Sequence, residues 1–532
     1  NAQKTAPAPP WSCPKPTSDS ENKPLKHVET RRSLNGVTQK GGAAAAGGGR
    51  VVGEEEPLSP ASVMFHEPDF NVYVIAVMGV KIPLDPEELK RMLQHTMLKH
   101  PRFTSLQVRD ERESGGGMKW VPTKVDLANH VIVPETAVGG GGPPEKLVED
   151  YIFELSKTGI DPSRQPMWDI HVLNFNPSPG GGQRDAAVAI LRAHHSLGDG
   201  TSLMSLLLAC TRQTADPALL PTVPVKKRGK EGGRRGGGRR LWAAAVGFLM
   251  IMWNTVVDVA MFMATAWFLK DTETPLKGPP GLEYTPRRFV HRTVSLEDIK
   301  LVKNAMNTTI NDVALGMAQA GLSRYLNRKY GVEENSTQKI NNLPKGVRLR
   351  STLLINLRPA GMQALADMME RESKAKWGNW IGFVVLPFRI ALRDDPLDYV
   401  REAKATVDRK KNSYEALFTF SLSDVFLKLF GVKAAGAVSH RIMAHTTMCF
   451  SNLAGPAEEI AFYGYPITFL APSSYGQPHG LMINFQSYGE QMNIVLSVDE
   501  ETVPDAHRLA DDLVDALRLI RNAVVSAGLH KC

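Results

Sequence analysis

Hydrophobic positions along this chain fall into strand-length and helix-length patterns. The run Ala186-Ala187-Val188-Ala189-Ile190-Leu191 is short, bounded and apolar throughout, the pattern of a buried strand. Past a glycine-bearing stretch, Leu203, Leu206 and Leu207 recur at helical spacing and predict a helix over 201–210. The same reading predicts strands at Val72–Val80 and Met167–Phe175. It also predicts a helix started by Asp85-Pro86-Glu87-Glu88, with Leu89, Met92, Leu93 and Met97 on one face. The second half repeats the theme. A strand at Phe289–Val294 leads into a helix opened by Ser295-Leu296-Glu297-Asp298, and Thr309-Ile310-Asn311-Asp312 is a capping box for a helix running to Tyr330 and stopped by Gly331. Further strands are expected at 352–357, 382–387, 448–452, 482–487 and 493–498, the last two a hairpin through Gly489, and a final helix at 505–527. Strands and helices in this order predict an α/β layered fold. At 532 residues the chain exceeds what one core supports, so two domains or more are expected.

Composition narrows the function classes. The first 56 residues are rich in Pro, Gly, Ala, Lys and Ser, lack the apolar stretch of a secretory signal, and read as a disordered tail. The runs Gly115–Gly117, Gly139–Gly142 and Gly180–Gly182 read as surface loops; none precedes a helix as a phosphate-cradling loop must. Cys13, Cys210, Cys449 and Cys532 show no paired spacing, which argues against disulfides or a zinc site and for a reducing, cytosol-facing setting. The net charge of +8 is local, because residues 226–240 alone carry +7. A single basic patch of this kind speaks against nucleic acid as a partner.

Chemistry concentrates in His194-His195-Ser196-Leu197-Gly198-Asp199-Gly200, at the end of the first strand described. Gly198 and Gly200 allow a tight path between strand and helix. An imidazole titrates near neutral pH, so His195 can take a proton from an alcohol or thiol as that group attacks a carbonyl. Asp199 sits where it fixes the loop or caps the following helix. A metal site lacks a third ligand at a telling spacing, and Ser196 lacks the nucleophile-elbow context. A purely structural histidine pair is the plain alternative.

These seven residues match the HHxxxDG signature of the CoA-dependent acyltransferase superfamily, and the chain resembles the wax ester synthase/diacylglycerol acyltransferase family in its plant form. Supporting motifs are Pro57-Leu58-Ser59-Pro60, Pro166-Met167-Trp168 (the family has Pro-Leu-Trp), Asn311-Asp312 and Ser451-Asn452-Leu453-Ala454-Gly455-Pro456, so the resemblance covers residues 57 to 525. It implies two chloramphenicol-acetyltransferase-like α/β halves with an active-site tunnel at their interface. On that basis the chain divides into a tail (1–56), an N-terminal half (57–212), a linker (213–285) and a C-terminal half (286–532). The implied activity is transfer from fatty acyl-CoA to a long-chain alcohol, to diacylglycerol, or to both, with no metal or cofactor beyond acyl-CoA as substrate. His195 is then the general base, His194 lines the site, and Asp199 and Gly200 shape the loop. Asn311 and Asp312 are tied to activity in the family, with helix capping as the alternative. Arg358, in Asn356-Leu357-Arg358-Pro359, is the candidate partner of Asp199; a surface arginine at a strand end is the alternative. Other functions consistent with the sequence are acylation of another alcohol or of an amine, and silent lipid binding. The first lacks the Asp-Phe-Gly-Trp-Gly motif of the plant enzymes concerned, and intact His195 and Asp199 speak against the second.

The linker adds a membrane element. Leu241–Trp253 is 13 consecutive non-polar residues, continued by a mostly apolar stretch to Leu269. As one helix, 241–269 would reach about 43 Å, enough to span a bilayer. Asp258 near its middle opposes insertion by roughly 2.5–3.5 kcal/mol. Gly247, Asn254, Asp258 and Thr265 share one narrow face, which suits packing on the protein while the remainder meets lipid. The eight basic residues just before it would each gain about 1 kcal/mol at an anionic surface. A spanning helix would place on opposite sides of the membrane the halves that must share one site, so an embedded helix is preferred, with a buried core helix as the alternative. The expected address is the endoplasmic reticulum membrane, or also the plasma membrane, with both halves facing the cytosol and 226–269 contacting lipid.

Overall fold

The computed structural model describes residues 55–110, 117–135, 143–175, 185–224, 237–331, 341–358 and 377–529. The tail before residue 55, the glycine runs apart from Gly117, and the basic residues 226–236 lie outside that set. Two large sheets organise the described residues. One has seven strands, in the order 131–132, 168–174, 187–194, 73–80, 465–475, 460–462 and 212–213. The other has six, in the order 381–388, 349–356, 448–453, 481–488, 491–498 and 288–295. A three-stranded sheet is built from 56–57, 118–122 and 105–109. Each large sheet has its own core, one around Ile75, Trp168 and Ile190, the other around Leu322, Ile494 and Leu513.

The strand Ala187–His194 lies inside the first sheet, antiparallel to Tyr73–Val80 on one side and Trp168–Asn174 on the other. Its first five residues, Ala187–Leu191, are apolar without a break, as a strand covered on both faces requires. Pairing continues past Leu191, so Tyr73 sits opposite His194. The motif therefore begins inside the sheet rather than after it.

Two strands of the first sheet, Ile460–Phe462 and Tyr465–Tyr475, come from the far end of the chain. Tyr465–Tyr475 runs antiparallel to Tyr73–Val80, from Ile467 opposite Val80 to Tyr475 opposite Tyr73. The two halves are thus joined through a shared sheet as well as through the linker. Pro466 and Pro472 lie within this strand, and proline in an apolar run argues against a ladder position.

The linker's apolar stretch forms one helix, Gly237–Trp267. The expected stripe faces the body over its second half. Asn254 donates to the Asn412 carbonyl at 3.1 Å, and Asp258, fully buried, pairs with Arg409 at 2.5 Å and Lys410 at 2.9 Å. Thr265 Oγ1 accepts from Arg350. Gly247 has no neighbour within 4 Å of where a Cβ would stand, so the stripe is uncovered at that end. Phe248, Leu249, Met250 and Trp253 are exposed.

Candidate active site

A strand delivers the motif and a helix receives it. His194 ends the strand, His195–Leu197 form a single helical turn, and Asp199 caps helix Gly200–Ala209 by accepting from the Ser202 amide at 2.9 Å. The backbone at Gly198 is extended. Room is tight there, because a Cβ would stand 3.0 Å from Ser202 Cβ and 3.4 Å from the Trp377 ring and push on both. The turn is shaped by close approach, not by a left-handed residue.

The other Asp199 oxygen faces the second half of the chain. Oδ2 accepts from Arg358 Nη1 at 2.8 Å and from the Trp380 amide at 3.1 Å. Arg358 also donates to Ser202 Oγ at 2.8 Å, to the Gly378 carbonyl and to Asn356. Both side chains of the ion pair are buried. A buried pair with its remaining donors and acceptors satisfied fixes relative position strongly, since either charge alone would be costly there.

Four consecutive residues of the second half, Trp377-Gly378-Asn379-Trp380, each hold the motif. Trp377 Nε1 donates to the Leu197 carbonyl at 2.6 Å, and the Gly378 carbonyl accepts from Ser202 Oγ at 3.1 Å. Gly378 sits at φ 111°, a conformation few residues other than glycine adopt. Asn379 clamps His195 itself. Its Nδ2 donates to the His195 carbonyl at 3.0 Å, while its Oδ1 lies 3.2 Å from His195 Nδ1. A carbonyl can only accept, so the amide orientation is set, and Oδ1 must accept a proton from Nδ1. The proton of neutral His195 is therefore on Nδ1, leaving the Nε2 lone pair free.

Burial lowers the His195 pKa below the ordinary 6.5, opposed in part by the Asp199 carboxylate. The imidazole is neutral at physiological pH, the state a base requires. Phe65 stacks on the ring at 4.3 Å between centroids, and His195 is 7% exposed.

His194 has a different environment. It is fully buried, with Nε2 3.0 Å from both the Phe65 carbonyl and Asn71 Oδ1, and Nδ1 2.6 Å from Ser196 Oγ. Burial, reinforced by the neighbouring His66 and His195, pushes its pKa well below 6.5. With both ring nitrogens engaged, His194 ties the loop to the segment that carries Phe65.

Asp312 completes a capping box with Thr309, accepting from the Thr309 amide at 2.8 Å. Asn311 is exposed, and its Oδ1 accepts from Asn452 at 2.5 Å, bringing two separate motifs together. Among the described residues, no hydrogen bond links Asn311 or Asp312 to the His195 loop. Asn379, Trp377 and Phe65 were not singled out by sequence reasoning. The one signal for the first two is a pair of tryptophans flanking Gly-Asn outside any periodic pattern.

The two halves enclose a cavity of about 1010 Å³ between the strands 73–80, 187–194 and 465–475 and the strands 288–295 and 491–498. Val77, paired with Ile190 four residues before His194, lines it, so it comes within roughly 13 Å of the motif along the strand. A second, almost wholly apolar void lies under helices Pro86–His95 and Gly200–Ala209, lined by Leu93, Leu203 and Leu206. His195 lines neither.

Comparison with known proteins agrees with this architecture. Residues 63–314 match the family model of the wax ester synthase/diacylglycerol acyltransferase catalytic domain, and residues 377–521 that of the WS/DGAT C-terminal domain. The chain is 47% identical over 484 residues to wax ester synthase/diacylglycerol acyltransferase 5 of Arabidopsis thaliana, covering 88% of this chain and 94% of that protein. It is 48% identical over 508 residues to number 4 of the same series, covering 93% of each. Among solved structures it is similar to the wax ester synthase/diacylglycerol acyltransferase from Marinobacter aquaeolei VT8, with TM-score 0.54, 18% identity, and coverage of 88% of this chain and 99% of that one. It is also similar to a trichothecene 15-O-acetyltransferase from Fusarium sporotrichioides, with TM-score 0.54, 11% identity, and coverage of 88% and 95%. The two-sheet α/β fold is shared with both of these solved structures.

Proposed function

This chain belongs to the wax ester synthase/diacylglycerol acyltransferase family, and from that premise we propose that it esterifies long-chain fatty alcohols, diacylglycerol or both, using fatty acyl-CoA as donor. His195 Nε2 takes the hydroxyl proton as the alcohol oxygen attacks the thioester carbonyl. The tetrahedral intermediate then collapses, the C–S bond breaks, and the departing sulfur recovers the proton from the imidazolium. Ester and free CoA leave, with no acyl-enzyme and no resident metal or cofactor required. Proton transfer by a positioned base contributes typically 10²–10⁴-fold, and holding both substrates oriented at that base would add more.

The observation that carries this reading is the Asn379 clamp, which holds a buried, neutral His195 with its proton on Nδ1 and its lone pair on Nε2. Asp199, Arg358 and the 377–380 segment position that ring. Asp312 acts through its helix, and Asn311 through Asn452.

In this reading the chain works at the cytosolic face of the endoplasmic reticulum membrane, or of the plasma membrane, with helix 237–267 lying in the surface rather than crossing it. The outward apolar side chains of that helix support this. So does Asp258, because a spanning helix would give up its ion pairs to Arg409 and Lys410.

The test is incubation of the full-length protein with labelled acyl-CoA and either hexadecanol or diacylglycerol, with product separation and thiol release measured together. Labelled wax ester or triacylglycerol, formed one-for-one with free CoA, is expected. No labelled product with either acceptor, and label transferred when a short alcohol or an amine is supplied instead, would overturn the substrate assignment.

A further inference from the structure

Helix 237–267 is joined by a second element that turns apolar side chains outward. Helix Glu415–Ala444 bends at Gly431, where φ is 79°. The arm before the bend exposes Leu417, Phe418, Val425, Leu429 and Phe430, with Leu429 70% accessible. Its opposite side is packed: Phe420 stacks on Trp380 at 5.7 Å, Thr419 Oγ1 donates to the Phe383 carbonyl, and Phe426 and Leu427 rest on the cluster of Phe65 and Phe70. The arm is docked on the body and carries apolar side chains on its outward face as well as its packed one.

The two helices lie side by side. The Tyr414 amide donates to Thr255 Oγ1 at 3.0 Å, and Phe262 and Ala266 share a cluster with Leu422 and Ile442. Beneath them, Lys410 bridges Asp258 and Glu415 at 2.9 and 2.6 Å. Charged groups thus face the body, while Trp253, Val256 and Met261 on one helix and Tyr414, Leu417 and Phe418 on the other are exposed. Contiguous exposed apolar surface of this kind marks an interaction site. Charge identifies the partner: residues 226–270 carry a net +7, while the rest of the chain sums to +1. Aromatic and aliphatic side chains on helices flanked by excess Lys and Arg suit an anionic lipid surface.

We propose that the arm 415–430 is the second half of a bilayer-docking face, seating together with helix 237–267 on anionic phospholipid. This rests on the reading that the chain works at a membrane, and extends it to an element the linker alone does not supply. Phe426 and Leu427 pack against the cluster that contains Phe65, and Phe65 stacks on His195, so the arm rests on the element that backs the base.

The experiment is flotation of the purified full chain with phosphatidylcholine vesicles, with and without phosphatidylserine. It compares wild type, Val425→Gln/Leu429→Gln and Leu249→Gln/Trp253→Gln. Wild type should float with the anionic vesicles, and each double variant should partition at least about tenfold more weakly. Circular dichroism and turnover of water-soluble short-chain substrates should stay at wild-type values. A Val425→Gln/Leu429→Gln protein that floats like wild type while Leu249→Gln/Trp253→Gln does not would overturn the role of the arm and leave the membrane reading standing. A wild type that stays off vesicles, or that self-associates in place of floating, would overturn both. Should the first double variant melt early, Leu429→Trp decides: quenching of its added emission by brominated lipid supports insertion, and unquenched emission refutes it.

Discussion

Asn379→Leu removes both arms of the His195 clamp while keeping side-chain bulk. In the native site Oδ1 satisfies the Nδ1 proton at 3.2 Å and Nδ2 satisfies the His195 carbonyl at 3.0 Å, both buried. Leaving a buried N–H without a partner costs about 1–3 kcal/mol. The imidazole escapes that cost by moving its proton to Nε2, the tautomer that cannot act as base. The active population, and with it kcat, should therefore fall between about 5- and 150-fold. KM for acyl-CoA and alcohol should change little, because no substrate contact is lost. Steady-state kinetics with a long-chain acyl-CoA and hexadecanol measure the split, with circular dichroism to confirm folding. Asn379→Asp supplies the discriminating control. Its carboxylate still accepts from Nδ1 but stabilises the imidazolium, so the His195 pKa rises and the acid limb of kcat/KM moves to higher pH. A folded Asn379→Leu protein with wild-type kcat would refute the tautomer argument outright.

Other consequences follow from the same site and from its buried imidazoles. Arg358→Met strands the Asp199 carboxylate in a buried setting and should destabilise the fold by about 3–5 kcal/mol; in urea melts, adding Asp199→Asn to it should cost much less than Asp199→Asn costs alone, and strict additivity would deny the coupling. Burial holds His100 at about 4 and His479 at about 3, against 6.5 unfolded, and lowers His194 as well. The unfolded chain thus binds protons the folded one refuses, so this contribution is complete above pH 6.5 and is lost as pH falls toward those values, by up to about 1.4 kcal/mol per pH unit for each histidine. Thermal melts between pH 7 and pH 5 should show Tm falling with acidification; a flat profile would contradict it.

The elements written in local pattern were legible in the sequence. The apolar run at 186–191, the caps Asp85, Ser295 and Thr309 with Asp312, and the hairpin through Gly489 all appear where periodicity and capping chemistry put them. The strand Tyr465–Tyr475 was not, because its prolines argue against a ladder position that pairing with Tyr73–Val80 overrides. The site divides in the same way. His195 and Asp199 are visible because strand, glycine turn and helix cap are local features. Asn379 is invisible because its role depends on a chain segment 184 residues away, where no period or spacing marks it. His194 has the reverse history: adjacency suggests a partner in chemistry, whereas strand alternation turns its ring toward Asn71 and Ser196.

Catalysis of this kind depends on the free nitrogen of one imidazole, and His195→Gln tests it most directly. Assayed with labelled acyl-CoA and hexadecanol or diacylglycerol, the variant should retain wild-type far-UV circular dichroism and melting behaviour, yet form ester at least about 100-fold more slowly. Ester formation at or near the wild-type rate in that folded protein would contradict the mechanism.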